Sequence, residues 1–236
     1  MPSPSIINNK VVTAQVHSAI KKLLATREDV VGFTRFLAGF GKVIVFGGFV
    51  RDAIHNFVHA DSREYRDLDL VLVGDFQRQG NSNRNHFGGY RRFFSDGLKI
   101  DYWTLNSTYA FSRGLIKPSL KNLTLTTVFT INACAFDLDA VILYENDAIQ
   151  SIAHRRISFN CTGYLNTFPE YQAFRAIDFS QRLCYELDEG VREFVVSTLS
   201  RSPLSTFVRA VRAHRPDLSE SELTELYERN RVVRTG

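Results

Sequence analysis

The stretch VIVFGGFVRD, residues 43–52, and the stretch RDLDLVLVGD, residues 66–75, decide the fold of this chain. Each contains an apolar run of strand length that ends in a turn signal, which predicts two buried strands, 42–46 and 67–73. The first run leads directly into a helical pattern over 49–58. A strand that turns into a helix beside a second strand predicts a mixed α/β unit.

Gly47 and Gly48 lie at the turn between the first predicted strand and the helix. Glycine has no Cβ, so the backbone can approach a ligand closely there, and the free N–H groups of a helix N-terminus favour phosphate. Arg51 adds a forked cation in the first turn of the helix. The turn therefore favours a phosphate site, although a double glycine after a strand is also an ordinary tight turn.

Asp67 and Asp69 stand two residues apart on the second predicted strand, so both side chains point to one face. Neighbouring carboxylates repel each other unless a cation lies between them, and Mg²⁺ takes carboxylate oxygens while it keeps phosphate ligands. Asp101, on a third predicted strand over 98–105, would complete a two-metal site. A strand with one solvated face is the alternative interpretation of the acidic pair.

The remaining pattern predicts the rest of the fold. Helical periodicity covers 11–38, strand-forming runs occupy 127–138 and 140–145, and the periodicity is helical from Pro169 onward. Residues 75–97 are polar and predict a long loop. The sequence therefore predicts an α/β (α+β) fold, in which a small mixed β-sheet is flanked by helices and followed by a helical C-terminal region.

Composition limits the class of protein. The chain has 236 residues, of which 44% are hydrophobic and 23% charged, as in ordinary globular proteins. It has no apolar run of about 18 residues, so no membrane partner is expected. The three cysteines, Cys134, Cys161 and Cys184, form no CxxC pair and predict free thiols in the cytoplasm. The net charge of +4 weakly indicates an anionic partner.

Aromatic and basic residues alternate in the polar segment close to the predicted site. They are Arg78, Arg84, Phe87, Tyr90, Arg91, Arg92, Phe93 and Phe94. This composition suits a nucleobase or single-stranded nucleic acid, and a loop that folds back over the core explains it equally well. A second pair with DxD spacing, Asp137 and Asp139, follows an apolar run toward a turn and is predicted to be structural.

Several motifs, in order, resemble one known family. GGFVRD, DLDLVLV and IDYW resemble the head domain of the class II tRNA nucleotidyltransferases and bacterial poly(A) polymerases, in the polymerase-β-like nucleotidyltransferase superfamily. TTVFTINACAFDL resembles their RRDFTINA-type segment, and YQAFRAIDFSQRLCYELDEGVREFV resembles their neck helix. NHFGGYRRFFSDGLKIDYWTL is similar to a stand-alone branch that couples FGG with IDxW. The similarity runs over about residues 42–196.

The resemblance implies a domain organisation and an activity. The domains would be N-terminal helices over 1–40, a nucleotidyltransferase head over 41–162 and a helical neck-like region over 163–236. The activity would be transfer of a nucleoside monophosphate from a nucleoside triphosphate (NTP) to an acceptor hydroxyl, an RNA or tRNA 3′ end, with release of pyrophosphate. Two Mg²⁺ ions, or Mn²⁺ in their place, would be the cofactors.

The resemblance also assigns site residues. Asp67, Asp69 and Asp101 would be catalytic and would bind the metals, with Asp101 also helping to deprotonate the acceptor. The implied nucleotide-binding residues are Gly47, Gly48, Arg51, Asp52, Thr130, Asn132, Gln172 and Arg175.

The sequence departs from the family pattern at several places, one of which is Asp178, where the neck motif has a second Arg. Residues 126–128 read TTV where the family has Arg-Arg-Asp, which implies altered ribose recognition. The EDxxR template that chooses C or A falls on Phe168, Pro169 and Gln172, of which only Gln172 can read a base edge. The chain also ends soon after the neck. We therefore expect a head-and-neck nucleotidyltransferase and not a CCA-adding enzyme.

Three functions remain open at this stage. Nucleotide addition to an RNA end is favoured by the family and by the basic segment. Modification of a protein or small molecule, in a toxin-like or defence role, is favoured by the short C-terminal region. A nucleotide-binding module without turnover is favoured by the altered ribose segment and opposed by the three aspartates.

Overall fold

The structure is a computed structural model. It describes residues 9–65, 67–76, 89–163 and 165–231. Of the basic and aromatic residues named above, Arg78, Arg84 and Phe87 lie outside the described residues. The chain forms two compact units, Met1–His154 and Arg155–Gly236.

Within the described residues, the first unit contains one mixed sheet of six strands. The strands are β1 Lys42–Phe46, β2 Asp67–Val73, β3 Tyr90–Phe93, β4 Lys99–Thr104, β5 Cys134–Asp137 and β6 Ile142–Glu145. Their order across the sheet is β3-β4-β2-β1-β5-β6; β2 and β4 are parallel, and the other neighbours are antiparallel. The predicted fold class is confirmed.

Helices accompany this sheet along the chain. The helices of the first unit are α1 Asn9–Ala25, α2 Glu28–Ala38, α3 Gly48–His59, α4 Tyr109–Ser112, α5 Leu120–Leu123 and α6 Ala148–Ala153. The predicted helical stretch 11–38 is two helices. The predicted loop over 75–97 is wrong for residues 90–93, which form the edge strand β3, and residues 130–132 form a short 3₁₀ turn in place of a strand.

One face of the sheet is covered by the long helices. Leu68 and Leu70 of β2 point to this face and are buried. Phe33 of α2 packs edge-on against Tyr102 of β4, with the ring centroids 5.1 Å apart. This layer forms the main core of the first unit.

The opposite face is apolar only at one end. There Val71 of β2 is buried with Phe111 of α4 and Leu123 of α5, and the indole of Trp103 packs against them. Trp103 Nε1 donates a hydrogen bond to Thr108 Oγ1 at 3.0 Å, so Trp103 is a core residue. Two short helices thus cover this end, and the acidic residues lie at the other end of the same face.

The second unit is mainly helical, as the periodicity after Pro169 predicts. Its helices are α7 Pro169–Leu183, α8 Glu189–Arg201, α9 Leu204–Arg212 and α10 Glu220–Asn230. Two short strands, β7 Arg156–Ile157 and β8 Glu186–Leu187, pair in parallel. In the described part of the chain, no helix has both the length and the apolar character needed to cross a membrane.

Candidate active site on the acidic face of the sheet

The glycine turn lies close to the acidic strand. Gly47, which follows β1 and precedes α3, has φ 65° and ψ −117°, a conformation that favours glycine. Its N–H donates to the carbonyl of Cys134 in β5 at 2.9 Å, so the turn is anchored to the sheet. A Cβ placed on Gly47 would lie 3.9 Å from Oδ2 of Asp69. The backbone of the turn therefore borders the carboxylate of Asp69.

The three predicted catalytic aspartates share one region of the sheet. In the parallel pairing of β2 with β4, Asp69 stands opposite Asp101, and Asp67 stands opposite Lys99. In the antiparallel pairing of β1 with β2, Asp69 stands opposite Phe46. Side chains alternate along a strand, so Asp67, Asp69 and Asp101 point to the same face, which we call the acidic face.

The three carboxylates have different partners. Lys99 Nζ lies 3.2 Å from Asp67 Oδ1, and Arg91 of β3 donates to both oxygens of Asp101 at 2.7 and 2.8 Å. The carboxylate of Asp69 has neither a hydrogen bond nor an ion pair to any described residue. Burial, followed by repulsion from the Asp101 and Asp67 carboxylates, raises the pKa of Asp69 from 3.8 to about 7.

These carboxylates differ in their suitability for a divalent cation. Asp67 and Asp69 present oxygens of the kind that Mg²⁺ prefers, and the repulsion felt by Asp69 would be relieved by a cation. Both oxygens of Asp101 already accept from Arg91. Among the described residues, no group of three or more histidine, cysteine or acidic side chains is arranged to hold a metal ion. The donor set therefore fits a cation at Asp67 and Asp69 and does not fit one at all three aspartates.

Arg51 is buried beneath the glycine turn. Its Nε and Nη2 donate to the carboxylate of Asp52 at 2.8 and 2.9 Å, and its Nη1 donates to Asn132 Oδ1 at 2.7 Å. A Cβ on Gly48 would lie 3.7 Å from Arg51 Nη2. The structure therefore brings Arg51, Asp52 and Asn132 together in one network, and the guanidinium nitrogens have partners within the chain.

Thr130 belongs to the same segment as Asn132. It lies at the start of the 3₁₀ turn that precedes β5, and it is buried. Its Oγ1 accepts a hydrogen bond from Ser151 Oγ of α6 at 2.8 Å. The segment 130–132 is thus held by Arg51 on one side and by α6 on the other.

The last two predicted site residues belong to the second unit. Gln172 and Arg175 lie about one turn apart on α7, and Arg175 Nη1 donates to Gln172 Oε1 at 3.3 Å. The guanidinium of Arg175 also lies 5.3 Å from the centroid of the Phe179 ring. The structure brings these two residues into contact with each other.

The aromatic and basic segment mostly covers the core where the structure describes it. Arg92 lies over the rings of Phe33 and Phe94, at 4.6 and 5.1 Å from their centroids, and Tyr90 stacks on a tyrosine of β4. Phe93 is 61% exposed. Of these residues, Arg91 is the one that contacts the acidic face, a role that the sequence analysis missed.

The comparisons with known proteins bear on the fold. No family model and no curated protein matches the sequence. The chain is similar to solved structures of a CCA-adding enzyme with ATP, at 20% identity and a TM-score of 0.58 over 89% of this chain and 54% of that one. It is also similar to a Thermotoga maritima CCA-adding enzyme complexed with tRNA, at 21% identity and a TM-score of 0.57 over 89% and 53% of the two chains.

A third similar structure is a tRNA nucleotidyltransferase complexed with a primer tRNA and an incoming ATP analogue. The identity is 21% and the TM-score 0.55, over 86% of this chain and 61% of that one. The chain thus spans between about half and three fifths of the length of these proteins. At this level of identity, the comparisons show that the chain has the fold of the matched parts of tRNA nucleotidyltransferases.

Proposed function

We propose that this chain is a nucleotidyltransferase, which transfers a nucleoside monophosphate from an NTP to an acceptor hydroxyl. The acceptor hydroxyl would lose its proton to water, and its oxygen would bond to the α-phosphorus. The bond from that phosphorus to the bridging oxygen of the β-phosphate would break, and pyrophosphate would leave. The proposal rests on the closeness of the glycine turn to the carboxylate of Asp69, since a Cβ on Gly47 would lie 3.9 Å from Asp69 Oδ2, in a fold shared with tRNA nucleotidyltransferases.

The glycine turn is proposed to bind the triphosphate. The α3 helix is 12 residues long and begins at Gly48, next to the turn. The N–H groups in the first turn of a helix have no carbonyl partner within it, and the helix dipole favours an anion there. These groups would bind the β- and γ-phosphates beside Asp69, which places the α-phosphate near the acidic face.

The acidic face is proposed to supply the catalytic carboxylates. Asp67 and Asp69 would hold a divalent cation, Mg²⁺ or Mn²⁺, which neutralises phosphate charge as it develops. Asp101, next to Asp69, accepts two hydrogen bonds from Arg91 and so holds a positive charge beside the proposed ion site.

The buried network at Arg51 is proposed to shape the nucleotide site. Because its guanidinium holds Asp52 and Asn132, Arg51 would fix the segment 130–132 relative to the glycine turn. Thr130 and Asn132 would then border the nucleotide. Arg51 would act on the triphosphate by supporting the turn.

The favoured acceptor is the 3′ end of an RNA such as tRNA. The similar proteins include one complexed with a primer tRNA and an ATP analogue, which supports this choice. A nucleotide-binding module without turnover is the second candidate, because Arg91 holds both oxygens of Asp101. Modification of a protein or small molecule is the third outcome that the experiment must separate.

The test is incubation of the purified chain with each labelled NTP, Mg²⁺ and total RNA, followed by separate analysis of labelled RNA, protein and small products. Label in RNA supports the proposal. Label in protein or in a small product would mean that the acceptor is a protein or a small molecule. Saturable binding without a labelled product supports the binding module. The Asp69→Asn variant should lose the activity, and Asp139→Asn, at an exposed acid, should keep it.

Gln172 and Arg175 are proposed to contribute to the choice of base. Replacing Gln172 by Ala should change the ratio of the rates with the four NTPs by several fold, because a lost hydrogen bond to a base edge is worth about 1 kcal/mol. Gln181→Ala, at an exposed glutamine of the same helix, is the matched control. An unchanged ratio in Gln172→Ala would remove Gln172 from the site.

A further inference from the structure

The ion pair between Arg91 and Asp101 is built into the sheet. Arg91 stands opposite Asp101 in the antiparallel pairing of the edge strand β3 with β4. The guanidinium donates from Nε to Oδ1 at 2.7 Å and from Nη2 to Oδ2 at 2.8 Å. A bidentate pair of this kind is among the strongest charge-assisted contacts in proteins, and here both strands hold it in register.

The charges of the acidic face depend on this pair. On this face the described strands β2, β3 and β4 carry three carboxylates, Asp67, Asp69 and Asp101, and two cationic side chains that form ion pairs with them, Lys99 and Arg91. On the neighbouring strands of the same face, Lys42 and Asp137 form a separate ion pair that adds no net charge. With all three carboxylates ionised, β2, β3 and β4 carry one net negative charge on this face, at Asp69. A face with this balance attracts one divalent cation much more strongly than two.

We propose that the guanidinium of Arg91 occupies the place of a cation at Asp101, so that the acidic face binds a single divalent ion through Asp67 and Asp69. Asp101 is then a positioning residue that holds Arg91 beside the ion site, and it is not a metal ligand. The inference rests on the proposed function only in taking a divalent cation as the ligand of this face.

Arg92 provides a matched control for Arg91. It is the next residue of β3, so its side chain points to the opposite face of the sheet. There its guanidinium lies over the rings of Phe33 and Phe94. Replacing Arg92 removes the same charge from the same strand without touching the acidic face.

The experiment measures Mn²⁺ binding to the full chain without nucleotide, by electron paramagnetic resonance of the free ion. The wild-type chain and Arg92→Met should bind one ion with similar affinity. Arg91→Met should bind Mn²⁺ at least about tenfold more tightly, because a nearby positive charge is lost and Asp101 is released. Asp69→Asn should lose the binding.

The decisive variant removes both charges of the pair. Arg91→Met combined with Asp101→Asn leaves the net charge unchanged, so its affinity for Mn²⁺ should stay within about threefold of the wild type. If the double variant loses Mn²⁺ as Asp69→Asn does, Asp101 is a ligand and the inference is wrong. Two ions bound to the wild type, or none, would also overturn it.

The same preparations separate this inference from the proposed function. A wild-type chain that binds one Mn²⁺ ion, with affinity preserved in the double variant, but transfers no nucleotide to any acceptor would refute the proposed transfer alone. A chain that transfers nucleotide but loses Mn²⁺ in the double variant would refute the assignment of Arg91 alone.

Discussion

Two pairs of aspartates with the same spacing lie in or directly after strands of this sheet, and their surroundings differ. Asp137, at the end of β5, is fully buried, and its Oδ1 accepts from the backbone N–H groups of Asp139 and Ala140, each at 3.0 Å. Lys42 Nζ lies 3.2 Å from its Oδ2. Asp69, in β2, has no such partner among the described residues.

The pKa values of the two carboxyl groups follow these surroundings. Burial alone would raise the pKa of Asp137, but the hydrogen bonds from Ala140, Lys42 and Asp139 outweigh it, and the pKa is lowered. For Asp69, burial and the neighbouring carboxylates act together and raise the pKa to about 7. The same spacing thus gives two different results. The Asp137 carboxylate is hydrogen-bonded and closes a turn, whereas the Asp69 carboxylate has no such partner among the described residues and lies beside the glycine turn. A raised pKa of this kind is typical of a functional site.

The largest effect is expected from Asp69→Asn. The substitution removes the carboxylate proposed to hold the cation, so nucleotide transfer should fall by about 10³-fold. It also removes a repelled charge, so at pH 8 without divalent ions the melting temperature should rise by about 2–4 °C. Transfer assays and thermal unfolding monitored by circular dichroism measure the two changes.

If Asp69→Asn lost both activity and stability, Asp69 would be a structural residue like Asp137, and the proposed difference between the two aspartates would be wrong. Asp139→Asn is the control for both measurements. Asp139 is the second aspartate of its pair, as Asp69 is of the other pair. Asp139 is exposed, so its replacement should change neither the transfer activity nor the melting temperature.

Asp137→Asn should have the opposite effects. The amide cannot accept from Lys42 as a carboxylate does, and it adds buried N–H donors, so the free energy of unfolding should fall by about 2 kcal/mol. Urea unfolding measures the change. Transfer activity per folded molecule should stay close to that of the wild type, and a thousandfold loss of activity in folded protein would refute the structural role.

Much of the fold follows from sequence because its central strands are apolar runs with sharp ends. The predicted strands over 42–46 and 67–73 have the bounds of β1 and β2. The edge strand β3 was missed because it contains two arginines and lies in a polar segment. A strand at the edge of a sheet needs little apolar sequence, so periodicity gives a weak signal there.

The site was predictable only in part for the same reason. Strand alternation and the order of the motifs were enough to expect the three aspartates on one face. The pairing of Arg91 with Asp101 needs the register of β3 with β4, which the sequence does not give without β3 itself. Arg91 and Arg92 are adjacent and of the same type, so residues 90–93 alone do not indicate which of them faces the aspartates.

The pH dependence of stability should have opposite signs for the two aspartates. The pKa of Asp69 is raised when the chain folds, so its ionisation costs stability as pH rises from about 4 to 7. Over that range, without divalent ions, the wild type should lose on the order of 1–2 kcal/mol relative to Asp69→Asn, allowing for solvent screening.

The pKa of Asp137 is lowered, so its contribution is complete above about pH 4 and is lost as pH falls through the folded value. Relative to Asp137→Asn, the wild type should therefore lose stability only in acid. Urea titrations of the three proteins from pH 3 to pH 8 measure both trends. Curves with the same slope for both variants would contradict the difference in surroundings.

The smallest effects should come from the lysines that contact the two pairs. Lys42 and Lys99 each lie 3.2 Å from an aspartate oxygen, but Asp137 is fully buried whereas the side chain of Asp67 is 52% exposed. Removing a partner from a buried carboxylate leaves a charge that water cannot reach, so Lys42→Met should cost about 1 kcal/mol. The exposed pair is solvated, so Lys99→Met should change the free energy of unfolding by about 0–0.5 kcal/mol. Urea unfolding at pH 7 distinguishes the two variants, and equal costs would mean that burial does not set the difference between the pairs.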